Sequence, residues 1–160
     1  MTDLFGNVYG GAEFSVCKKY RYQLFRVRDK TKPKIAFIGL NPSTANENEN
    51  DPTIRRVISF ANSWGYGGVI MYKLFAIVSS DPSILLTPID LQKNNQWYLD
   101  DILNQCKDIC FCWGSFKEAK ERAKEIISLF DTAVCLGINA DGSPKHPLYV
   151  PGKTKPINFK

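Results

Sequence analysis

Two short segments of the chain combine residue types that could do chemistry. The first is Gly39-Leu-Asn-Pro-Ser-Thr-Ala45. A glycine lets backbone approach a ligand closely, and Pro42 sets the turn. Asn41 offers both a donor and an acceptor, so it can orient a water or read the edge of a planar ligand. Ser43 and Thr44, with their backbone N–H groups, can hold an anion. The competing reading of Asn41 is a local hydrogen bond within a strand-to-loop turn. The second segment, Ser143-Pro-Lys-His-Pro-Leu-Tyr149, holds the single histidine of the chain between two prolines that would fix its orientation. Such a histidine is either a structural hydrogen-bonding group or an acid–base or donor group. Asp51, Arg55 and Arg56 read as a helix cap and a solvated face, or as a place where an arginine such as Arg55 meets a phosphate. Trp64, Tyr66, Trp97 and Trp113 read as core, with one ring free to stack on a base.

These segments need a frame that brings them together. Lys34–Leu40 is a short continuous apolar run, as in a strand covered on both faces. Asp51 can cap a helix that begins at Pro52, with Ile54, Val57, Ile58 and Ala61 on its inner stripe, and that stops near Trp64-Gly65. Val69–Ile77, Ile109–Trp113 and Ala133–Ile138 read as further buried strands. Helices are predicted from Asp90 to about Gln105, anchored by Leu91, Trp97 or Tyr98, and Ile102, and after Ser115-Phe-Lys-Glu118, which has capping-box form. In that last helix Ala119, Ala123, Ile126 and Ile127 face inward. Tyr20–Arg28 has the composition of a strand, Asn139–Gly142 that of a turn, and residues 1–19 are expected to be irregular. Pro82 and Pro88 break the connection after the second buried strand.

Strands alternating with helices predict a single α/β domain over residues 1–160. Its architecture is a three-layer α/β/α sandwich around a central, mainly parallel four-stranded sheet. Ligands in such sheets sit beyond the carboxyl ends of the strands. That rule selects Gly39–Ala45, the residues after Ala76, Gly114-Ser115, and the loop of His146.

Composition bounds the rest. With 44% hydrophobic and 23% charged residues the chain is globular rather than disordered or fibrous. No apolar run approaches the ~20 residues of a membrane span. Met1-Thr-Asp-Leu-Phe-Gly-Asn has the marks of no secretion signal. Five cysteines make a poor disulfide framework. Cys106-x3-Cys110-x-Cys112 could suggest metal or redox chemistry, but its apolar setting favours reduced core residues in a cytoplasmic protein. No metal or other cofactor is expected, and a monomer is favoured. The formal net charge of +5 permits contact with nucleic acid without demanding it.

Several stretches together resemble one family. GLNPSTA, DPTIRR, Trp64-Gly65-Tyr66-Gly67-Gly68, Asp81-Pro82, Trp113-Gly114 and Lys145-His-Pro-Leu-Tyr149 resemble the DUF1643 family from about Tyr20 onward. The layout is more distantly similar to the uracil-DNA glycosylase superfamily, with a G-x-[ND]-P loop after a first strand and an HP-containing loop after a fourth. By that resemblance Asn41 looks like the asparagine that positions the attacking water, and His146 like the histidine that stabilises the departing base anion. Tyr72-Lys-Leu-Phe75 stands where several branches carry an asparagine that reads uracil. Lys73 at that place implies a base other than uracil, such as a modified pyrimidine. Leu148 and Tyr149 replace the superfamily's serine-proline-leucine wedge, and the iron–sulfur cysteine pattern of some branches is absent.

The resemblance thus implies hydrolysis of an N-glycosidic bond to a nucleobase in DNA, catalysed by Asn41 and His146. Gly39, Leu40, Pro42, Ser43, Thr44, Lys73, Phe75, Gly114 and Tyr149 would contact substrate. Arg55, Lys145 and Lys153 would grip flanking phosphates. Two other classes remain beside it: a non-catalytic module that binds a nucleotide or nucleic acid, and a hydrolase or transferase of free nucleosides or nucleotides.

Overall fold

Alternate residues of each central strand are apolar on both sides, and the fold uses both. The computed structural model describes residues 9–86 and 93–160. In chain order the elements are β1 (Tyr9–Phe14), β2 (Arg21–Val27), β3 (Lys34–Gly39), α1 (Pro52–Ser63), β4 (Gly68–Lys73), α2 (Lys93–Asp100), α3 (Ile102–Gln105), β5 (Asp108–Phe111), α4 (Lys120–Ser128), β6 (Val134–Cys135) and β7 (Ile157–Asn158). The strands form one seven-stranded mixed sheet in the order β1-β2-β4-β3-β5-β6-β7. The four strands expected from sequence are its parallel centre, β4-β3-β5-β6. The expected four-stranded sheet is therefore too small: antiparallel β2 and β1 extend one side, and antiparallel β7 closes the other.

Ile35 and Phe37 of β3, with Val69 and Met71 of β4, face α1 through Ile54, Val57, Phe60 and Ala61. Ala36, Ile38, Ile70 and Tyr72 face the opposite way, onto Leu99 of α2, Ile102 of α3, and Ala123 and Ile126 of α4. This period of two explains why the strands read as unbroken apolar runs. It also positions the site. β3 sends its connection to α1 on one face, while its neighbours β4 and β5 send theirs to the other. The chain parts around the end of β3 and leaves a crevice there.

Several boundaries depart from expectation. Tyr9–Phe14, read as irregular, forms an edge strand; its Gly10 and Gly11 lie under the crossing side chains of Arg26 and Phe25, where a Cβ would come within 2.7 Å. That pairing rests on backbone and on cross-strand cover, which side-chain periodicity does not register. The second central strand stops at Lys73, although Leu74 and Phe75 still donate backbone hydrogen bonds to Gly39 and Leu40. The fourth shrinks to Val134–Cys135, because Gly137 adopts φ +141° and Ile138 bridges back to Pro144.

The predicted helix ending near Gln105 is divided into α2 and α3, and Trp97 is exposed while Tyr98 stacks on Tyr22. The predicted break at Pro88, helix start at Asp90 and anchor at Leu91 lie outside the described residues. The capping box at Ser115 does not form: Ser115 Oγ donates to Asp141 instead, and Lys117–Ala119 makes a 3₁₀ turn before α4. Cys106 lies in the core beneath α2–α4, whereas Cys110 and Cys112 lie in the core beneath α1, so the three do not share a face. Among the described residues no helix is long and apolar enough to cross a membrane.

Candidate functional site

Beyond the end of β3 lies a cleft of about 350 Å³ whose lining includes Asn41, Ser43, Lys73, Trp113, His146 and Tyr149. The two loops singled out in the sequence, more than a hundred positions apart, share this hollow.

Asn41 is pinned by its amide nitrogen. Nδ2 donates to the backbone oxygens of Pro42 at 3.1 Å, Ile77 at 3.3 Å and Ser79 at 3.0 Å. Three surrounding carbonyls leave no ambiguity about which end of the amide is the donor. The residue therefore ties the β3 loop to the segment after β4, and Ser79 N–H returns a bond to Pro42 O. Its Oδ1 has no hydrogen-bond partner among the described residues, and remains available as an acceptor. The structural and the functional readings of Asn41 use opposite ends of one amide.

His146 is held as firmly. Gly114 N–H donates to Pro144 O, and Arg56 of α1 reaches across to the carbonyls of Pro147, at 3.2 Å, and of Val150. Gly114 adopts φ +80°, and a Cβ there would lie 3.3 Å from His146 Cβ, so glycine meets both a conformational and a spatial demand. Leu148 N–H donates to His146 Nδ1 at 3.1 Å, which leaves the proton of the neutral ring on Nε2. Burial, then the positive charge of Lys73, lowers the histidine to about pKa 4, against a smaller opposing pull from Asp51. At neutral pH the ring is an uncharged Nε2–H donor, without a partner among the described residues.

Lys73 ends β4 at only 7% exposure. Its backbone and that of Leu74 are gripped through their carbonyls by Asn95 Nδ2, and Leu74 O also accepts from Arg122 Nε. Gly39 makes room for its head, since a Cβ there would lie 2.8 Å from Nζ. Burial, then Arg21, lowers the ammonium to about pKa 8, while Cys112 and Asp51 pull it back up. Asp51 caps α1 by accepting from Ile54 N–H at 2.8 Å and also lines the cleft.

The remaining candidates divide clearly. Leu40, Ser43, Gly114 and Tyr149 line the cleft, with Tyr149 83% exposed at its mouth and its ring 5.5 Å from that of His146. Gly39, Pro42 and the exposed Thr44 are not part of the lining. Phe75 packs into the core beneath α2–α4 and does not line the cleft, because the chain still leans on the β3 loop there. Arg55, Lys145 and Lys153 also lie outside it. Arg55 binds Asn50 O, Lys145 reaches toward Asn139, and Lys153 is exposed. Sequence reading gave no role to Thr53, Ser79, Ser80, Ser115 and Phe116 in the lining, nor to Arg56 as the brace of the histidine loop. Only the strand-end rule pointed toward Ser79 and Ser115; nothing local marks Arg56 over Arg55.

No curated protein and no solved structure matches the chain. One family model does, described as "Protein of unknown function (DUF1643)", and it covers the first cleft-forming loop and the second as far as Leu148. With residues 21–148 matched, the chain belongs to the DUF1643 family.

Proposed function

We propose that the protein hydrolyses the N-glycosidic bond of a nucleobase in DNA, with a modified pyrimidine as the base. One observation carries this reading: an unspent acceptor (Asn41 Oδ1), a neutral imidazole with its proton on Nε2, and a buried ammonium converge on one cleft. Its volume, about 350 Å³, falls within the ~300–1,000 Å³ of small-ligand sites. The resemblance to the uracil-DNA glycosylase superfamily assigns the same two loops to the same two roles. The parallel centre of the sheet is compatible with that layout.

The chemistry follows from charge. As the C1′–N bond breaks, its electron pair stays with the base and the sugar becomes oxocarbenium-like. Donors placed where the negative charge gathers stabilise that state, and a neutral Nε2–H does so without first surrendering a charge to the base. The Lys73 ammonium carries three donors and no acceptor, so it suits a base edge or substituent that presents oxygens. Asn41 Oδ1 accepts from a water and aims it at C1′. An amide takes up no proton, so the proton released on attack goes to solvent or to the Asp51 carboxylate. The target nucleotide must first leave the base stack. The formal charge of +5 permits a polyanionic partner.

A second reading draws on the walls. None of Arg55, Lys145 and Lys153 lines the cleft, whereas Ser43, Thr53 and Ser80 do. Hydroxyl-rich walls suit a free nucleoside as well as a strand. The test is incubation with oligonucleotides carrying uracil, hydroxymethyluracil or glucosylated bases, and with the matching nucleosides, scored for released base. Release from oligonucleotides with salt-sensitive affinity supports the first reading, and release from nucleosides alone the second. Binding with every base left intact overturns both.

A further inference from the structure

Four cationic side chains of the described residues are buried: Arg21, Arg26, Lys73 and Arg122. Arg21 donates to Ala45 O at 2.9 Å. Arg26 bonds through all of its guanidinium nitrogens, and Arg122 holds Leu74 O, Gln96 and Glu125. Lys73 alone has neither a hydrogen-bond nor an ion-pair partner among the described residues; it is buried, at 7% exposure, and opens onto the cleft. A cation buried without a partner costs stability and is retained where its amine is needed.

We infer that Lys73 is an imine-forming nucleophile that captures the sugar aldehyde left in the cleft by base loss. The inference rests on the glycosidic reading for the origin of that aldehyde. Hydrolysis of the C1′–N bond leaves a hemiacetal that opens to an aldehyde at C1′. The lone pair of the unprotonated Nζ adds to C1′, forming an N–C bond while the carbonyl pair moves onto oxygen and takes a proton. Loss of water then gives the protonated C=N bond, and addition of water later reverses each step, returning the free amine. Desolvation beside a second cation, Arg21, is one of the ways proteins hold an amine ready for such attack. Burial and Arg21 bring Lys73 to about pKa 8, so a usable share is unprotonated near neutral pH. Gly39, lacking a Cβ, leaves room for Nζ at the end of β3. The two uses of the side chain follow one another: the ammonium assists departure of the base, and the amine then holds the reactive sugar until release.

The test supplies the aldehyde directly. A duplex oligonucleotide with one abasic deoxyribose is mixed with the protein and sodium cyanoborohydride, whose hydride reduces an imine to a stable secondary amine. One covalent adduct is expected, mapped by peptide mass to Lys73 and forming faster as pH rises through about 8. Lys73→Arg, checked by thermal unfolding to be folded, should lower it more than about tenfold, as should the near-isosteric Lys73→Met. Lys155→Arg, at an exposed position, should leave it unchanged. Absence of an adduct on the folded wild type, or adducts spread over surface lysines and unaltered by Lys73→Arg, overturns the inference. The outcomes separate it from the glycosidic reading. Adduct at Lys73 with no base released from any substrate removes only the glycosidic reading, and base release with no adduct removes only the imine.

Discussion

Arg26 and Lys73 sit on neighbouring strands of one sheet, and both are buried, yet the protein treats them in opposite ways. Arg26 spends its Nε on Asn50 Oδ1 at 2.8 Å, and its other nitrogens on the carbonyls of Gly11, Phe25, Asn46 and Glu49. It fastens residues 46–50, a loop that Asn46 also braces by accepting from Asn48 and Glu49 N–H. Lys73 fastens nothing among the described residues. Its backbone is clamped by Asn95, and its head is left unmatched toward the cleft. A saturated buried charge is architecture. An unsaturated one, kept at a cost to stability, marks where a ligand is expected to complete the bonding.

Substitutions can break or sharpen that contrast. The largest effect is expected at the cleft: His146→Ala removes the neutral donor and should lower the rate of base release by roughly 10²–10³-fold, measured under single turnover. Lys73→Met should abolish imine capture while making the fold more stable, by on the order of 2 kcal/mol in urea unfolding at pH 7. A destabilised Lys73→Met would dissolve the contrast, for it would mean that the ammonium is already satisfied. Arg26→Met should do the reverse, costing about 3 kcal/mol because several buried carbonyls lose their donor. Gly114→Ala should cost about 1 kcal/mol through its positive φ, and depress catalysis more than stability because the Cβ crowds His146.

The contrast can also be read in pH. The folded-state value of His146, about 4, lies below its ordinary 6.5, so the unfolded chain binds the proton more readily. Its contribution to stability is present above 6.5 and is lost as pH falls toward 4. Lys73 is likewise lowered, from 10.5 to about 8, so the unfolded chain binds the extra proton between those values and stability gains as pH rises through them. Thermal unfolding from pH 4 to 10 should show both slopes, with His146→Ala flattening the acid limb and Lys73→Met the alkaline one.

How much of this was legible in advance depended on how local the signal was. Asp51 and Pro52 announce α1, and the Asp51 cap forms as its side chain and position dictate. The apolar runs of β3 and β5 declare strands buried on both faces. β1 escaped notice because its pairing is carried by backbone and by side chains of β2 lying over two glycines. The capping box at Ser115 failed because Asp141, distant in sequence, offered its hydroxyl a charged acceptor. Arg55 and Arg56 are indistinguishable in sequence. One turns to solvent and the other reaches the histidine loop, a choice made by which face of α1 the chain's end covers.

By its own amino acids this chain determined the alternation of strands and helices, the parallel centre of the sheet, and the two loops bearing an amide and an imidazole. Those follow from hydrophobic period, proline and glycine placement, and side-chain inventory, all of which act over a few residues. Tertiary structure alone decided that the loops meet in one cleft, that the Asn41 amide spends its donors on backbone carbonyls, that the imidazole is neutral, and that among the described residues the Asn41 oxygen and Lys73 find no partner. Hydrogen-bond partners and proton affinities are set by which groups folding brings within a few ångströms and how much water it removes between them, and no run of neighbouring residues contains that information.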